Sequence, residues 1–143
     1  MNVSNPFRII VCILALPALW GGCSQMMTIP REVEPAKAFE ILKQNWQNPD
    51  FIIVDVRTPK EYEETHIPRA VNIDFRSTDL RKEIDRLDRK KTYLLYCRTG
   101  VRSAQAMETM REMGFRNVAH IAGGITAWER ASLRTVSGME TGR

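Results

Sequence analysis

Apolar and polar positions along this chain repeat with two periods, one helical and one extended. Over 35–46 (PAKAFEILKQNW), Ala38, Ile41, Leu42 and Trp46 share one helical face, which predicts an amphipathic helix broken by Asn48-Pro49-Asp50. Over 51–56 (FIIVDV) the run is nearly continuous and β-rich, as in a strand buried on both faces. A short charged helix is predicted over 60–65 behind Thr58-Pro59, and a brief strand over 70–73. The segment 79–87 alternates charges while turning Leu80, Ile84 and Leu87 inward, which predicts another helix. A second buried strand (93–97, YLLYC) follows the basic turn Arg89-Lys90-Lys91. A helix over 101–113 with Ala104, Met107 and Met110 inward comes next, then a strand over 118–121 and a last short helix over 125–131. Short buried strands alternating with amphipathic helices predict an α/β fold: a mostly parallel sheet of about five strands with helices on both faces.

The N-terminus follows another pattern. One positive charge in the first eight residues precedes an apolar run over 9–20 (IIVCILALPALW), then Gly21, Gly22, Cys23 and Ser24. A short charged start, about a dozen apolar residues and a small-residue exit form the layout of an export signal. The run is short for a membrane span, which needs about 20 apolar residues. Gly-Gly-Cys at the exit resembles a bacterial lipoprotein processing site, with Cys23 as the lipidated first residue of the mature protein. Trp20 departs from that pattern, which usually has leucine there. The expected organisation is a signal peptide over 1–22, a tether over 23–33, one folded domain over 34–134 and a tail over 135–143. The protein is then exported, periplasmic and lipid-anchored to a membrane, with ordinary signal cleavage and an uncleaved anchor as the alternatives; Ser24 carries no inner-membrane retention signal.

Composition narrows the classes. With 43% hydrophobic and 27% charged residues the body is globular, and a net charge of +4 with acids and bases interspersed is no nucleic-acid signature. Two histidines without ligand-like spacing give no support for a metal site, and no cofactor is expected. Three cysteines are present, and with Cys12 in the signal and Cys23 lipidated, the domain keeps one thiol, Cys97.

In parallel sheets ligands bind outside the carboxyl ends of the strands. That rule selects Asp55, Arg57 and Thr58 after one strand, and Cys97-Arg98-Thr99-Gly100-Val101-Arg102-Ser103 after another. Backbone N–H groups of a turn and a first helical turn lack intrahelical partners and favour an anion. Arg98 and Arg102 add positive charge, and Gly100 allows a turn that other residues resist. Each effect favours thiolate, the attacking form of cysteine. A buried, inert cysteine would need neither the glycine nor the two cations.

The stretch from Tyr96 to Ser103 resembles the active-site loop of the rhodanese family. Asp55 to Tyr62, running into His66-Ile67-Pro68 and 70–73, resembles the family's N-terminal signature, and Gly123-Gly124-Ile125-Thr126-Ala127-Trp128 its C-terminal one. Thr65 and Arg69 stand where the family often has glycine. The resemblance implies a rhodanese-like fold and a sulfurtransferase. Cys97 would carry sulfur as a persulfide from thiosulfate or a similar anionic donor to cyanide or a thiol, including a sulfur-accepting protein. Arg98, Thr99, Gly100, Val101 and Arg102 would bind the donor. The six residues from Cys97 to Arg102 match the length associated with sulfur; related phosphatases have one more. A non-enzymatic persulfide carrier or sulfur-sensing module at the membrane is the alternative.

Asp55 and Arg57 either pair with each other or brace the loop, with Glu61 in the same network and Ser103 behind the thiol. His66 and His120 read as structural, Trp128 as packing, and Gly123-Gly124 as allowing the chain close to the Cys97 loop.

Overall fold

The computed structural model describes residues 29–138. The signal-like stretch and Cys23 lie outside the described residues, as does most of the expected tail. The elements run β1 (Glu32–Val33), α1 (Pro35–Gln44), β2 (Phe51–Asp55), α2 (Pro59–Glu64), β3 (Val71–Asn72), α3 (Leu80–Asp85), β4 (Thr92–Tyr96), α4 (Val101–Glu112), β5 (Val118–Ile121) and α5 (Gly124–Arg130). Five strands form one sheet in the order β1-β5-β4-β2-β3, and every pairing is parallel. The direction of chain progression reverses between β2 and β4, so a crevice is expected at their carboxyl ends.

The β-rich runs show no polar face because the sheet is covered on both sides. Successive residues of β4 point to opposite layers: Leu94 and Tyr96 join a cluster with α1 and α5, whereas Tyr93 and Leu95, with Cys97 just past the strand, join one with α3 and α4. Trp128, Phe39, Ile41 and Leu42 fill the first layer; Met107, Met110, Phe115 and Ile84 fill the second. Burying each such side chain contributes about 1.5–3 kcal/mol.

Four expectations are corrected. The stretch expected as a tether ends in β1, whose Glu32 and Val33 pair with His120 and Ile121. A two-residue strand leaves no alternation to read; its partner supplies the definition. The segment expected as a tail begins packed on the domain, since Val136 and His66 exchange backbone hydrogen bonds of 2.8 and 2.9 Å. Trp46 is not on the buried face of α1 but 44% exposed, because the helix stops at Gln44 and Asn45 turns back to donate to Ile41 O. Inside α4, Ala106 rather than Ala104 is buried with Met107 and Met110.

Arg69 adopts φ 65°, the conformation that favours glycine, in the turn after His66-Ile67-Pro68. Its guanidinium lies 5.3 Å from the centre of the Trp46 ring.

Candidate active site

Cys97 follows β4 and is 1% exposed. Gly100, at φ 94°, turns the chain into α4, and a side chain there would sit 3.2 Å from Gly123 N. This turn aims the Gly100 N–H at Cys97 Sγ, 3.2 Å away. The Ser103 hydroxyl lies 3.7 Å from the same sulfur and 3.0 Å from Gly100 O, so its single proton has two acceptors within reach. Burial pushes the Cys97 thiol up, but the N–H and hydroxyl of Ser103 and the N–H groups of Thr99 and Gly100 outweigh it. The net shift is below the ordinary thiol value, which favours the nucleophilic thiolate.

The loop is tied from behind by α5. Ile125 N–H donates to Cys97 O at 2.8 Å and Thr126 N–H to Arg98 O at 3.1 Å. These bonds hold the carbonyls away from the sulfur while the amides face it. Gly124, at φ 58°, has no room for a side chain: a Cβ would collide with the Cys97 carbonyl oxygen and stand 2.8 Å from Arg98 C. Its place in Gly123-Gly124 signals close approach, but the residue did not stand among the candidate site positions.

At the neighbouring strand end, Asp55 and Arg57 form a buried pair. Arg57 Nε reaches both Asp55 carboxylate oxygens at 3.0 Å, and Nη2 reaches Oδ2 at 2.6 Å. The same guanidinium donates to Thr65 O, and the Arg57 N–H donates to Asp55 Oδ1 at 2.9 Å. Asn72 donates to the carbonyls of Asp55 and Arg57, both at 2.9 Å, fixing β3 to this corner. Of the two roles left open for Asp55 and Arg57, pairing with each other is the one these contacts display.

Glu61 acts on the Arg57 guanidinium through its charge and not through a hydrogen bond. Its hydrogen bonds go to Thr58 and Arg102, not to Asp55 or Arg57. Glu61 Oε2 accepts from Thr58 N–H at 3.1 Å while Glu61 N–H donates to Thr58 Oγ1 at 3.4 Å, a capping box at the start of α2. Thr58-Pro59-Lys60-Glu61 carries that signature in the sequence. The Arg102 guanidinium faces both Glu61 oxygens, so the cation expected to orient a donor is already paired.

Arg98, Thr99 and Val101 are exposed around Gly100. His66 stacks on Tyr62 with ring centres 4.0 Å apart, its Nδ1 2.8 Å from Tyr62 O; His120 Nε2 lies 3.4 Å from Glu32. Trp128 is buried and donates from Nε1 to Arg134 O. Among the described residues, no three His, Cys, Asp or Glu side chains are grouped to hold a metal. An open cleft of about 250 Å³ adjoins the loop, lined by Arg57, Glu61, Glu64, Thr65, Arg98, Ile125, Thr126 and Glu129. A deep thiol held by converging amides beside a small polar cleft can attack a small electrophile and keep the transferred group as an anion.

The family model for the rhodanese-like domain matches residues 38–131, from α1 through the end of α5. The chain belongs to the rhodanese-like domain family. Within it, the thiosulfate sulfurtransferase GlpE of Coxiella burnetii is 29% identical over 99 residues, covering 69% of this chain and 87% of that protein. The probable adenylyltransferase/sulfurtransferase MoeZ of Mycobacterium tuberculosis is 37% identical over 78 residues, or 54% of this chain, and the match spans 20% of that protein's length. The crystal structure of a rhodanese-related protein from Thermoplasma volcanium superposes with a TM-score of 0.62 at 30% identity, covering 75% of this chain and 98% of that one. The α/β architecture expected from the hydrophobic pattern is therefore the rhodanese-like fold, with five parallel strands.

Proposed function

We propose that this rhodanese-like chain is a sulfurtransferase that loads sulfane sulfur from thiosulfate or a similar donor onto Cys97 and hands it to cyanide or a thiol. The observation that carries the reading is the Cys97 sulfur under the Gly100 N–H, with its thiol below the ordinary value. The Cys97 thiolate attacks the outer sulfur of thiosulfate; the Sγ–S bond forms as the S–S bond of the donor breaks, and sulfite leaves with the bonding electron pair. The product is a Cys97 persulfide anion, for which the loop amides are ready donors. An acceptor nucleophile then takes the outer sulfur and returns the thiolate, so ping-pong kinetics are expected. Sulfurtransferase relatives support this reading.

Incubation with thiosulfate followed by intact-mass measurement tests it. The expected result is a gain of one sulfur atom, absent in Cys97→Ala and reversed by cyanide with release of thiocyanate. An unmodified wild-type mass with thiosulfate and with inorganic polysulfide would overturn it. Loading without turnover on any small acceptor would favour the carrier reading instead.

We further propose that 1–22 directs export and that Cys23 is lipidated, leaving the domain periplasmic and membrane-anchored. The charge and apolar pattern of the N-terminus supports this. A mature protein that begins at a residue other than lipid-modified Cys23, by mass spectrometry, would overturn it.

A further inference from the structure

We propose that the cleft beside the Cys97 loop is built for a zwitterionic amino-acid thiol as the sulfur acceptor, its ammonium against Glu64 and Glu129 and its carboxylate against Arg98. The inference rests on the sulfurtransferase reading and adds the acceptor's chemical class. Two basic residues, Arg57 and Arg98, and three acidic ones, Glu61, Glu64 and Glu129, line the cleft. Pairing then decides which of these charges are available to a ligand. Arg57 is committed to buried Asp55, and Glu61 to Arg102. Among the described residues, Arg98, Glu64 and Glu129 have no ion-pair partner. The cleft therefore offers one free cation and two free acids, with Ile125 and Thr126 also in its lining.

That set holds a dianion such as thiosulfate less well than a zwitterion, since the dianion meets two unpaired acids for one unpaired arginine. It does suit a small molecule carrying both charges, and about 250 Å³ lies below the range of about 300–1,000 Å³ typical of drug-sized ligands. The step balances with no further reagent but water. The outer sulfur of the Cys97 persulfide anion takes a proton from water and the acceptor thiolate attacks it; an acceptor S–S bond forms with that proton on its outer sulfur, the Sγ–S bond breaks, and its electron pair returns to Cys97 as thiolate.

The test uses the full-length protein, loaded with thiosulfate and verified by mass, then discharged by four thiols compared at equal thiolate concentration. Cysteine carries both charges, N-acetylcysteine lacks the ammonium, cysteamine lacks the carboxylate, and 2-mercaptoethanol lacks both. Cysteine is expected to be fastest, by about fivefold for each charge contact. The double variant E64Q/E129Q should lose the advantage of cysteine over N-acetylcysteine while loading faster with thiosulfate. Arg98→Gln should lose the advantage over cysteamine. Because each readout is a ratio of two acceptors on one preparation, it does not depend on the fraction folded. Equal rates in the loaded wild type, or ratios untouched by the substitutions, would overturn the inference alone. Failure to load from any donor would overturn the function and the inference together.

Discussion

Arg102 meets Glu61 at the rim of the Cys97 loop with Nη1 3.3 Å from Oε2 and Nη2 3.3 Å from Oε1. Burial pushes the Glu61 carboxyl up, but hydrogen bonds from Arg102 and Thr58 outweigh it and bring it down to about 2, from 4.5. A carboxyl lowered on folding stabilises the fold above its unfolded value and loses that contribution as pH falls through its folded value. Wild type should exceed Glu61→Gln by about 1 kcal/mol at neutral pH, the pair being partly solvent-screened. The gap should close as pH drops from 4.5 to about 2. Urea midpoints of both proteins at a series of pH values check this; a gap independent of pH in that window counts against it.

Ser103→Ala should weaken the nucleophile without removing it. The variant loses the hydroxyl 3.7 Å from Sγ but keeps the backbone N–H groups that also hold the thiol down. Losing one such donor costs about 1 kcal/mol, so the thiolate fraction well below the midpoint should fall about fivefold. The pH profile of iodoacetamide alkylation, followed by mass, should move to higher pH. An unchanged profile would mean that the hydroxyl serves Gly100 O alone.

The Asp55–Arg57 pair should be strongly non-additive. Asp55 is fully buried and Arg57 nearly so, so either Asp55→Asn or Arg57→Met strands a buried partner at a cost of about 3–5 kcal/mol. The double variant leaves no unpaired charge and should lose clearly less than the sum of the two. Denaturant melts of the four proteins supply the cycle; simple additivity would show that the pair is not coupled.

Gly124→Ala should lose stability and thiol reactivity together. The backbone conformation alone costs a residue with a side chain about 1–2 kcal/mol, and the collision with the Cys97 carbonyl adds to that. Gly138→Ala is the control: its φ is 79° but nothing lies within 4 Å of the added carbon. The control should show only the conformational cost in thermal melts, with iodoacetamide reactivity unchanged.

The strands β2, β4 and β5 were readable because burial on both faces leaves unbroken apolar runs, and the Cys97 loop because glycine and arginines crowd around a thiol. What escaped depends on partners distant in sequence. Glu32 and Val33 become a strand only beside His120 and Ile121, and Val136 bridges to His66. Arg102 looks like a free cation until Glu61 is brought to it, 41 residues away. Trp46 fits the helical period but falls past the point where Asn45 ends the helix. Periodicity records the environment of an element; it does not record which charges neutralise one another.

The bonds from Ile125 and Thr126 to the carbonyls of Cys97 and Arg98 give the molecule an order of assembly. The loop is shaped by residues that are translated after it. A nascent chain that has passed Ser103 already carries its thiol, but without the clamp that turns the amides toward sulfur. Its reactivity arrives only when β5 is in register and α5 has docked. A lowered thiol at Cys97 is thus a chemical mark of a finished fold, and a truncated or half-folded chain leaves an ordinary cysteine.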